Sequence, residues 1–303
     1  PVVFESASTN YISATYDSTN GKVVIAYQDY GNSQYGTAVV GTVSGTSISF
    51  GTPVVFESAA TNYAISAVYD TANNKVVIAY RDEGNSNYGT AIVGTVSGTS
   101  ISFGTPVVFQ SNSTSQISSA YDPDEGKVVI ICKDESPSPN TGTAIVGTVS
   151  GTSISFGSAV QWESNAVAWT SAVYDTTNDK VVIAYNDADG NNYGTAIVGT
   201  VSGDTISFGT AVAFQSSSSA YDMSATFDPD EGKVVIAFRE YDSGNNVGKA
   251  IVGTVSGTSI SFGSAVQFEA GGTYDISAVY DTANNKVVIA YKDNAVPDGK
   301  AIV

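Results

Sequence analysis

Apolar and polar residues follow one order that recurs six times along the 303-residue chain. The repeats span residues 1–52, 53–105, 106–158, 159–210, 211–264 and 265–303. Self-similarity at such a period is typical of proteins built from stacked supersecondary units. The structure expected for a single repeat therefore predicts most of the fold.

Each repeat predicts four β-strands, as the second repeat illustrates. Strands are expected at ISAVYD (Ile65–Asp70), KVVIAY (Lys75–Tyr80), TAIVGTV (Thr90–Val96) and SISFGTPVVF (Ser100–Phe109). The first alternates apolar with small or polar residues, which indicates one buried face. The second is almost continuously apolar, which indicates burial on both faces. Equivalents of the first strand are expected at Ile12–Asp17, Ile117–Asp122, Thr170–Asp175, Met223–Asp228 and Ile276–Asp281.

A four-stranded antiparallel unit of this length matches one blade of a β-propeller. A single such sheet cannot bury both of its faces, so the units must stack. We therefore expect an all-β, six-bladed propeller that forms a single domain over 1–303. The last repeat, 265–303, is completed by 1–6, which closes the ring by pairing the two terminal strands. A stretch equivalent to GTVSGTSISFGT is missing from that composite blade, so either this blade is abbreviated or the chain was cut from a longer array.

The antiparallel strand order separates the turns of a repeat into two groups. Turns between strands one and two, and between three and four, are nearly uniform, as in YDTANNK and VSGTS. Loops between strands two and three, and the connections to the next repeat, differ from copy to copy, as in YRDEGNSNYG and FREYDSGNNVG. We call this second end of each repeat its variable face. It is either a binding surface or a set of exposed loops that drifted freely.

The variable face carries the candidate ligand-binding residues. Aromatic side chains beside Asn, Asp and Ser are typical of contacts with sugars or protein surfaces. The two arginines of the chain are also there, and each either clamps a ligand carboxylate or phosphate or pairs with a neighbouring acid. The candidates are Tyr30, Tyr35, Arg81, Tyr88, Trp169, Tyr193, Arg239 and Tyr274.

Acidic residues recur at both ends of the repeats. A ring of carboxylates is expected where the second strands end, at Asp29, Asp82, Asp134, Asp187, Glu240 and Asp293. These carboxylates could bind a ligand, by coordinating a cation or by accepting hydrogen bonds from sugar hydroxyls. The alternative is that each carboxylate accepts hydrogen bonds from backbone N–H groups at the start of its own loop. The aspartates that open the uniform turns, such as Asp17 and Asp70, are expected to form Asx turns.

Composition narrows the classes of function. The net charge of −17 disfavours nucleic acid and anionic membranes as partners and favours the attraction of cations such as Ca²⁺. No apolar run is long enough for a membrane span. The lone Cys132 is expected to be buried. Because the chain has no histidine, Ser-His-Asp catalysis and His-based metal sites are excluded. No cofactor is expected.

The signature Y-D-x4-K-V-V-I-A-Y-x-D followed by G-T-A-I-V-G-T-V-S-G-T-S-I-S-F-G resembles repeats of uncharacterised proteins from marine microbes and their phages. The layout is also similar to that of lectin-like propellers. The first resemblance implies fold and habitat more than function, and the second is one of architecture only. The variable face favours a recognition module for a glycan or protein surface, outside the cell or on a virion. A scaffold that self-associates is the alternative. Catalysis needs one differentiated site, whereas the repeats are nearly equivalent, so the chain is expected not to be an enzyme.

Overall fold

The computed structural model describes residues 1–136, 140–188, 191–242, 244–294, 296 and 298–303, and these are almost entirely β-strand. Helical structure within those ranges is limited to two 3-10 turns, Tyr30–Asn32 and Glu83–Asn85. No helix in the described ranges is long and apolar enough to cross a bilayer. The chain divides into two compact units, one of residues 1–138, 143–161 and 203–205, and one of 139–142, 162–202 and 206–303.

The first unit contains most of the first two sheets of the chain. A five-stranded antiparallel sheet is followed by a nine-stranded sheet that joins repeats two and three. The strands of the first sheet are β1 (Thr9–Asp17), β2 (Lys22–Asp29), β3 (Tyr35–Ser44), β4 (Ser47–Phe50) and β5 (Val54–Ala60). Those of the second are β6 (Ile65–Asp70), β7 (Lys75–Asp82), β8 (Tyr88–Ser97), β9 (Ser100–Phe103), β10 (Val107–Asp122), β11 (Lys127–Asp134), β12 (Thr141–Ser150), β13 (Ser153–Phe156) and β14 (Val160–Glu163).

The second unit contains most of the remaining three sheets, which have five, five and three strands. The sheet centred on repeat four has β15 (Val167–Asp175), β16 (Lys180–Asp187), β17 (Tyr193–Ser202), β18 (Thr205–Phe208) and, from the start of repeat five, β19 (Val212–Gln215). The sheet centred on repeat five has β20 (Ser219–Asp228), β21 (Lys233–Asp242), β22 (Asn245–Ser256), β23 (Ser259–Phe262) and, from the start of repeat six, β24 (Val266–Glu269). Repeat six has β25 (Thr273–Asp281), β26 (Lys286–Asp293) and β27 (Asp298–Ile302).

The fourth strand of each repeat differs from its sequence prediction. The segment expected as one strand at Ser100–Phe109 is divided between β9 and the start of β10, and both parts pair with β8. The break falls at Gly104-Thr105-Pro106, where the proline has no N–H to donate to the ladder. A glycine is required here because a Cβ on Gly104 would lie 1.9 Å from the carbonyl oxygen of Thr152.

The second strands form the core of each repeat, as their apolar runs predicted. Val76, Val77, Ile78 and Ala79 are fully buried, and the predicted burial of Cys132 is confirmed. Neighbouring first strands adjoin within each unit. In the first unit the amide of Ala67 donates to Ser13 Oγ at 3.0 Å, and in the second unit Ala225 donates to Ser171 in the same way.

An aromatic ring from each connecting strand covers a glycine of the third strand. A Cβ on Gly89 would lie 2.5 Å from the Phe109 ring, and one on Gly142 would lie 2.5 Å from Trp162. These glycines allow a close approach that no other residue permits. The all-β, antiparallel part of the fold prediction is confirmed, whereas the single domain, the blade count and the ring closure stay predictions.

Candidate ligand-binding site

Every first strand carries a feature that the sequence did not reveal. One residue near its start has a positive φ: Tyr11, Tyr63, Gln116, Trp169, Asp222 and Asp275. In five of the six repeats the strand register shifts at this point, which marks a β-bulge. A bulge redirects the side chains around it. Such backbone is uncommon for residues other than glycine and concentrates at functional sites.

The bulges of repeats four to six surround a pocket of about 330 Å³ in the second unit. Four aromatic rings, one guanidinium and one amide form its walls. The lining residues are Trp169, Tyr221, Arg239, Tyr241, Asn246 and Tyr274. We call this the Arg239 pocket. Its size and its mixture of rings with a few polar groups are typical of small-molecule sites.

Arg239 is held rigidly at the centre of the pocket. Its Nε donates to Asp222 Oδ2 at 2.6 Å, and its Nη1 donates to Asn246 Oδ1 at 2.8 Å. The guanidinium lies between two rings, 4.8 Å from the centroid of Tyr221 and 4.7 Å from that of Tyr274. Asn246 Nδ2 completes the network by donating to the Tyr274 hydroxyl at 3.0 Å. The pocket is therefore preorganised around a stacked cation.

The acid that pairs with Arg239 is buried. The Asp222 side chain is 6% exposed and that of Arg239 is 12% exposed. Burial raises the pKa of Asp222, and the charge of Asp275 adds to this effect, whereas the Arg239 ion pair opposes it. Removing either partner would leave an uncompensated buried charge, so the pair fixes the geometry of the pocket.

Repeat five forms this pocket because its variable loop folds differently. In repeats one and two, Asp29 and Asp82 accept N–H groups of the following residues and cap a 3-10 turn. Repeat five has Glu240 at this position, and its longer side chain instead bonds Gln215, Ser218 and Lys249. The hairpin of β21 and β22 therefore continues past Glu240.

The extended hairpin supplies one wall of the pocket. Tyr241 pairs with Asn246 across β21 and β22. Arg239 and Tyr241 lie two residues apart and therefore share a face of the sheet, opposite the buried Phe238. Sequence reasoning missed Tyr241 and Asn246. The signal was present in FREYDSGNNVG, where Glu replaces the Asp of the other repeats.

The first unit holds a second arginine at the equivalent position of repeat two. The Arg81 guanidinium lies 4.8 Å from the Tyr63 ring centroid, and the Tyr11 ring is 6.1 Å from that of Tyr63. Arg81 Nη1 contacts Glu135 Oε2 and the carbonyl oxygen of Thr114, both at 3.4 Å. We call this the Arg81 centre. Among the described residues one ring stacks on this arginine, and its acid partner is more distant than Asp222 is from Arg239.

Two serine hydroxyl groups donate hydrogen bonds to the Glu135 carboxylate in the Arg81 centre. Ser115 donates to Glu135 Oε1 at 2.7 Å and Ser113 to Oε2 at 2.8 Å. Partial burial opposes ionisation of this carboxyl, but the two hydroxyls and the Arg81 charge together lower its pKa. The acids of the two centres are therefore shifted in opposite directions.

The structure places the other candidate aromatics apart from these centres. Tyr30 is exposed in a 3-10 turn. Tyr35, Tyr88 and Tyr193 begin the third strands, where they are half-buried and pair across the ladder with Asp29, Asp82 and Asp187. Of the eight predicted residues, the Arg239 pocket therefore combines Trp169, Arg239 and Tyr274. Residues 137–139, 189–190, 243, 295 and 297 of the variable loops lie outside the described part of the chain.

The carboxylates at the ends of the second strands bond within their own repeats. Asp29 accepts the amide of Gly31 at 2.8 Å, and Asp134 accepts Ser136 N together with the side-chain amides of Gln110 and Asn112. Asp293 pairs with Lys300 at 2.6 Å. No group of three or more Cys, Asp or Glu in the described ranges has the spacing of a metal site.

The aspartates of the uniform turns form the expected Asx turns. Asp70 Oδ1 accepts the amides of Ala72 and Asn73, each at 3.0 Å. The same pattern recurs at Asp122, Asp175, Asp228 and Asp281, and Asp17 accepts the equivalent Asn20 amide. This prediction is confirmed, and it assigns these acids to turn formation.

A tyrosine and glutamate pair organises the connection before most first strands. Tyr80 OH donates to Glu57 Oε2 at 2.9 Å, while Glu57 Oε1 accepts the Ala59 amide at 3.0 Å. Tyr27, Tyr185 and Tyr291 donate to Glu5, Glu163 and Glu269 in the same way. Repeats three and five lack both partners. Cys132 and Phe238 replace the tyrosine, Gln110 and Gln215 replace the glutamate, and each glutamine donates to the acid that ends the second strand.

Comparison with known proteins gives the fold. No protein-family model matches the chain, and no curated protein matches it. Among solved structures, the chain is similar to the SapL1 lectin in complex with alpha methyl fucoside (14% identity, 98% of this chain, 92% of that chain, TM-score 0.58). It is also similar to the periplasmic gluconolactonase PpgL of Pseudomonas aeruginosa (9% identity, 98% of this chain, 85% of that chain, TM-score 0.63). A leech intramolecular trans-sialidase is a third match (10% identity, 95% of this chain, 65% of that chain, TM-score 0.60).

These comparisons support a propeller-like fold and correct one functional prediction. The sequence-based expectation that the chain is not an enzyme is contradicted, because this fold is shared with a gluconolactonase and a trans-sialidase. The membership of the marine and phage repeat family stays a prediction.

Proposed function

We propose that the protein is a carbohydrate-recognising propeller whose binding site is the Arg239 pocket. One observation carries this proposal: four aromatic rings converge on a cavity that also offers an amide and a guanidinium. Sugar rings have an apolar face that stacks on aromatic side chains and hydroxyls that need fixed polar partners. The likeness to a lectin bound to a fucoside adds support at the level of the fold.

Ligand contact is assigned to the accessible rings of the pocket. Trp169 is 40% exposed and Tyr241 is 44% exposed, whereas Arg239 already has its faces covered by Tyr221 and Tyr274. A sugar would stack on Trp169 and Tyr241 and bond through Asn246. Because the Asp and Glu side chains at the strand ends are engaged within their own repeats, we propose binding without Ca²⁺ or any other cofactor.

A glycan array with the wild-type protein tests this proposal, run once with Ca²⁺ and once with chelator. Selective binding is expected in both buffers, and Tyr241→Ala is expected to weaken it. Tyr30→Ala is the matched control, because Tyr30 is equally exposed but lies in repeat one, outside the pocket. Silence of the wild type in both buffers would reject carbohydrate recognition.

The finer features of the fold belong to the same proposal. We propose six blades in a single domain closed by 1–6, and a location outside the cytoplasm, either extracellular or on a virion. The similarity that covers 98% of the chain supports the propeller, and the similar gluconolactonase is periplasmic. Replacing Val2 and Val3 by Asp keeps the contacts of Phe4 and Glu5 with Tyr27, so it is expected to lower the unfolding temperature only if 1–6 complete the last blade, and an unchanged value would reject the closure.

Self-association is a second candidate function, and one observation in the first unit favours it. Ile12 is 53% exposed and Tyr16 is 58% exposed, whereas their equivalents Ile65 and Tyr69 are 7% and 6% exposed. Exposed apolar patches of this kind mark interaction surfaces. Analytical ultracentrifugation would detect a concentration-dependent dimer that Tyr16→Asp disrupts. A monomer at all concentrations would reject this candidate.

A further inference from the structure

The Arg239 pocket has one cation and two acids. Arg239 is the sole charged residue among those lining the cavity. Asp222 pairs with it at 2.6 Å, and Asp275, at the bulge of the next repeat, is close enough to act on Asp222. The positive charge of Arg239 is therefore more than compensated by its neighbours before any ligand arrives.

Two of the five N–H donors of Arg239 already have partners within the protein. Bidentate recognition needs two parallel N–H groups directed at the anion. In this pocket Nε donates to Asp222 and Nη1 donates to Asn246. A carboxylate of a ligand that approached Arg239 would share the guanidinium with Asp222, which is held at 2.6 Å. The negative charges of the two carboxylates would repel each other.

From this charge balance we propose that the pocket selects uncharged glycans over acidic ones, and that Asp222 determines this selectivity. The inference rests on the proposed function, since it assigns the ligand class of the same pocket. Arg239 acts as a positioning residue that orients Tyr221, Tyr274 and Asn246. The net charge of −17 acts in the same direction by repelling acidic glycans before they reach the pocket.

Matched pairs of methyl glycosides test the inference directly. Each pair comprises a hexose and the corresponding hexuronic acid, such as methyl galactoside and methyl galacturonide, which differ in one carboxylate. Titration calorimetry at neutral pH measures both members against the wild-type protein. We expect the uncharged member to bind at least roughly tenfold more tightly, since one unfavourable charge contact is worth at least that factor.

Asp222→Asn is the variant that tests the assigned residue. The substitution keeps the size of the side chain and an oxygen that can accept the Arg239 Nε–H, but it removes the negative charge. The preference for the uncharged sugar is expected to fall about tenfold or to reverse, because Arg239 becomes an uncompensated cation. Asp275→Asn should shift the preference in the same direction but by a smaller factor. Because Asp275 is exposed, this substitution is expected to leave folding intact. Glu135→Gln in the Arg81 centre is the control and should leave the preference unchanged.

The outcomes separate the inference from the proposed function. Equal or tighter binding of the uronic acids by the wild type would overturn the selectivity and leave carbohydrate recognition standing. Full preference in folded Asp222→Asn and in Asp275→Asn would overturn the role of Asp222. Absence of any binding, on the array and in the titrations, would overturn the proposed function and this inference with it.

Discussion

The Arg81 centre and the Arg239 pocket occupy equivalent positions in two repeats, yet the two arginines have different neighbours. In repeat two, Asp82 caps a 3-10 turn, and the arginine stacks on one ring. In repeat five, Glu240 bonds Gln215, Ser218 and Lys249 instead, and the hairpin continues to Tyr241 and Asn246, which line the pocket with Arg239. Both arginines are equally buried, so the comparison indicates that the loop after the second strand, and not the exposure of the arginine, distinguishes the two centres.

The two arginines also differ in their acid partners. Asp222 is an almost fully buried acid at 2.6 Å, whereas Glu135 is 28% exposed, contacts Arg81 at 3.4 Å and retains two serine hydroxyls. Removing one partner of a buried ion pair lowers the stability of the fold strongly, because the charge that remains is neither paired nor solvated. Arg239 is therefore expected to be indispensable, and Arg81 dispensable.

Removing each arginine in turn is expected to give the largest difference in stability between the two centres. Arg239→Ala should lower the free energy of unfolding by about 3–5 kcal/mol, the usual loss when a buried ion pair is broken. Arg81→Ala should cost less, about 1–2 kcal/mol, because Glu135 is more exposed than Asp222 and keeps its two serine donors. Urea unfolding followed by circular dichroism measures both. Equal losses would show that the two centres do not differ in the way proposed.

The aromatic residues at the bulges give the next contrast, in binding. Trp169→Ala should weaken binding of a glycan identified on the array by roughly tenfold or more, as for a central aromatic contact. Tyr63→Ala removes the equivalent ring of the Arg81 centre and should leave binding unchanged. Both side chains are exposed, so each substitution should change stability by about 1 kcal/mol or less. A stronger effect from Tyr63→Ala would move the site to the first unit.

The tyrosine and glutamate pair of repeat two can be exchanged for the pair of repeat five. Tyr80→Phe removes the donor to Glu57 and should cost about 1 kcal/mol of unfolding free energy. Adding Glu57→Gln reproduces the natural combination of Phe238 and Gln215, and it should recover part of that loss. A double-mutant cycle measures the coupling. Strict additivity would mean that the two side chains do not act together.

The smallest expected difference between the two centres is in how the ionisation of Glu135 and of Asp222 changes stability with pH. The pKa of Glu135 is lowered on folding, so its contribution is complete above its unfolded pKa and is lost as the pH falls through the folded value. The pKa of Asp222 is raised, so its ionised form costs stability at neutral pH, and that cost disappears as the pH falls through the folded value. Relative to Glu135→Gln the wild type should therefore lose stability on acidification, and relative to Asp222→Asn it should gain. Unfolding curves from neutral to acidic pH test these signs, and slopes of the same sign would contradict them.

The repeated parts of the molecule were predictable from the sequence, and the parts that deviate from the repeat were not. The apolar run KVVIAY predicted buried second strands, and the spacing from Asp70 to Asn73 predicted the Asx turns. Trp169 and Arg239 were identified by residue type alone. Tyr241 and Asn246 were missed because their placement depends on the extension of one hairpin, which follows from Glu240.

The bulges were missed for a different reason. A positive φ at Trp169 or Asp222 leaves no compositional signal, since neither residue is a glycine that would mark such a turn. The break of the fourth strand did carry a signal, at Gly104 and Pro106, but the apolar residues on both sides masked it. Local periodicity predicts strands well, and it predicts poorly where their ladders are interrupted.

The two tryptophans allow the most direct test of the central claim. Trp169 lines the pocket and is exposed, whereas Trp162 is buried in the core at 7% exposure. The indole N–H signals of the ¹⁵N-labelled protein, assigned with Trp169→Phe, can be followed while an uncharged glycan from the array is added. The account predicts a saturable shift of the Trp169 signal with the Trp162 signal unchanged. Binding that leaves the Trp169 signal in place would show that glycans bind elsewhere and would contradict the assignment of the Arg239 pocket.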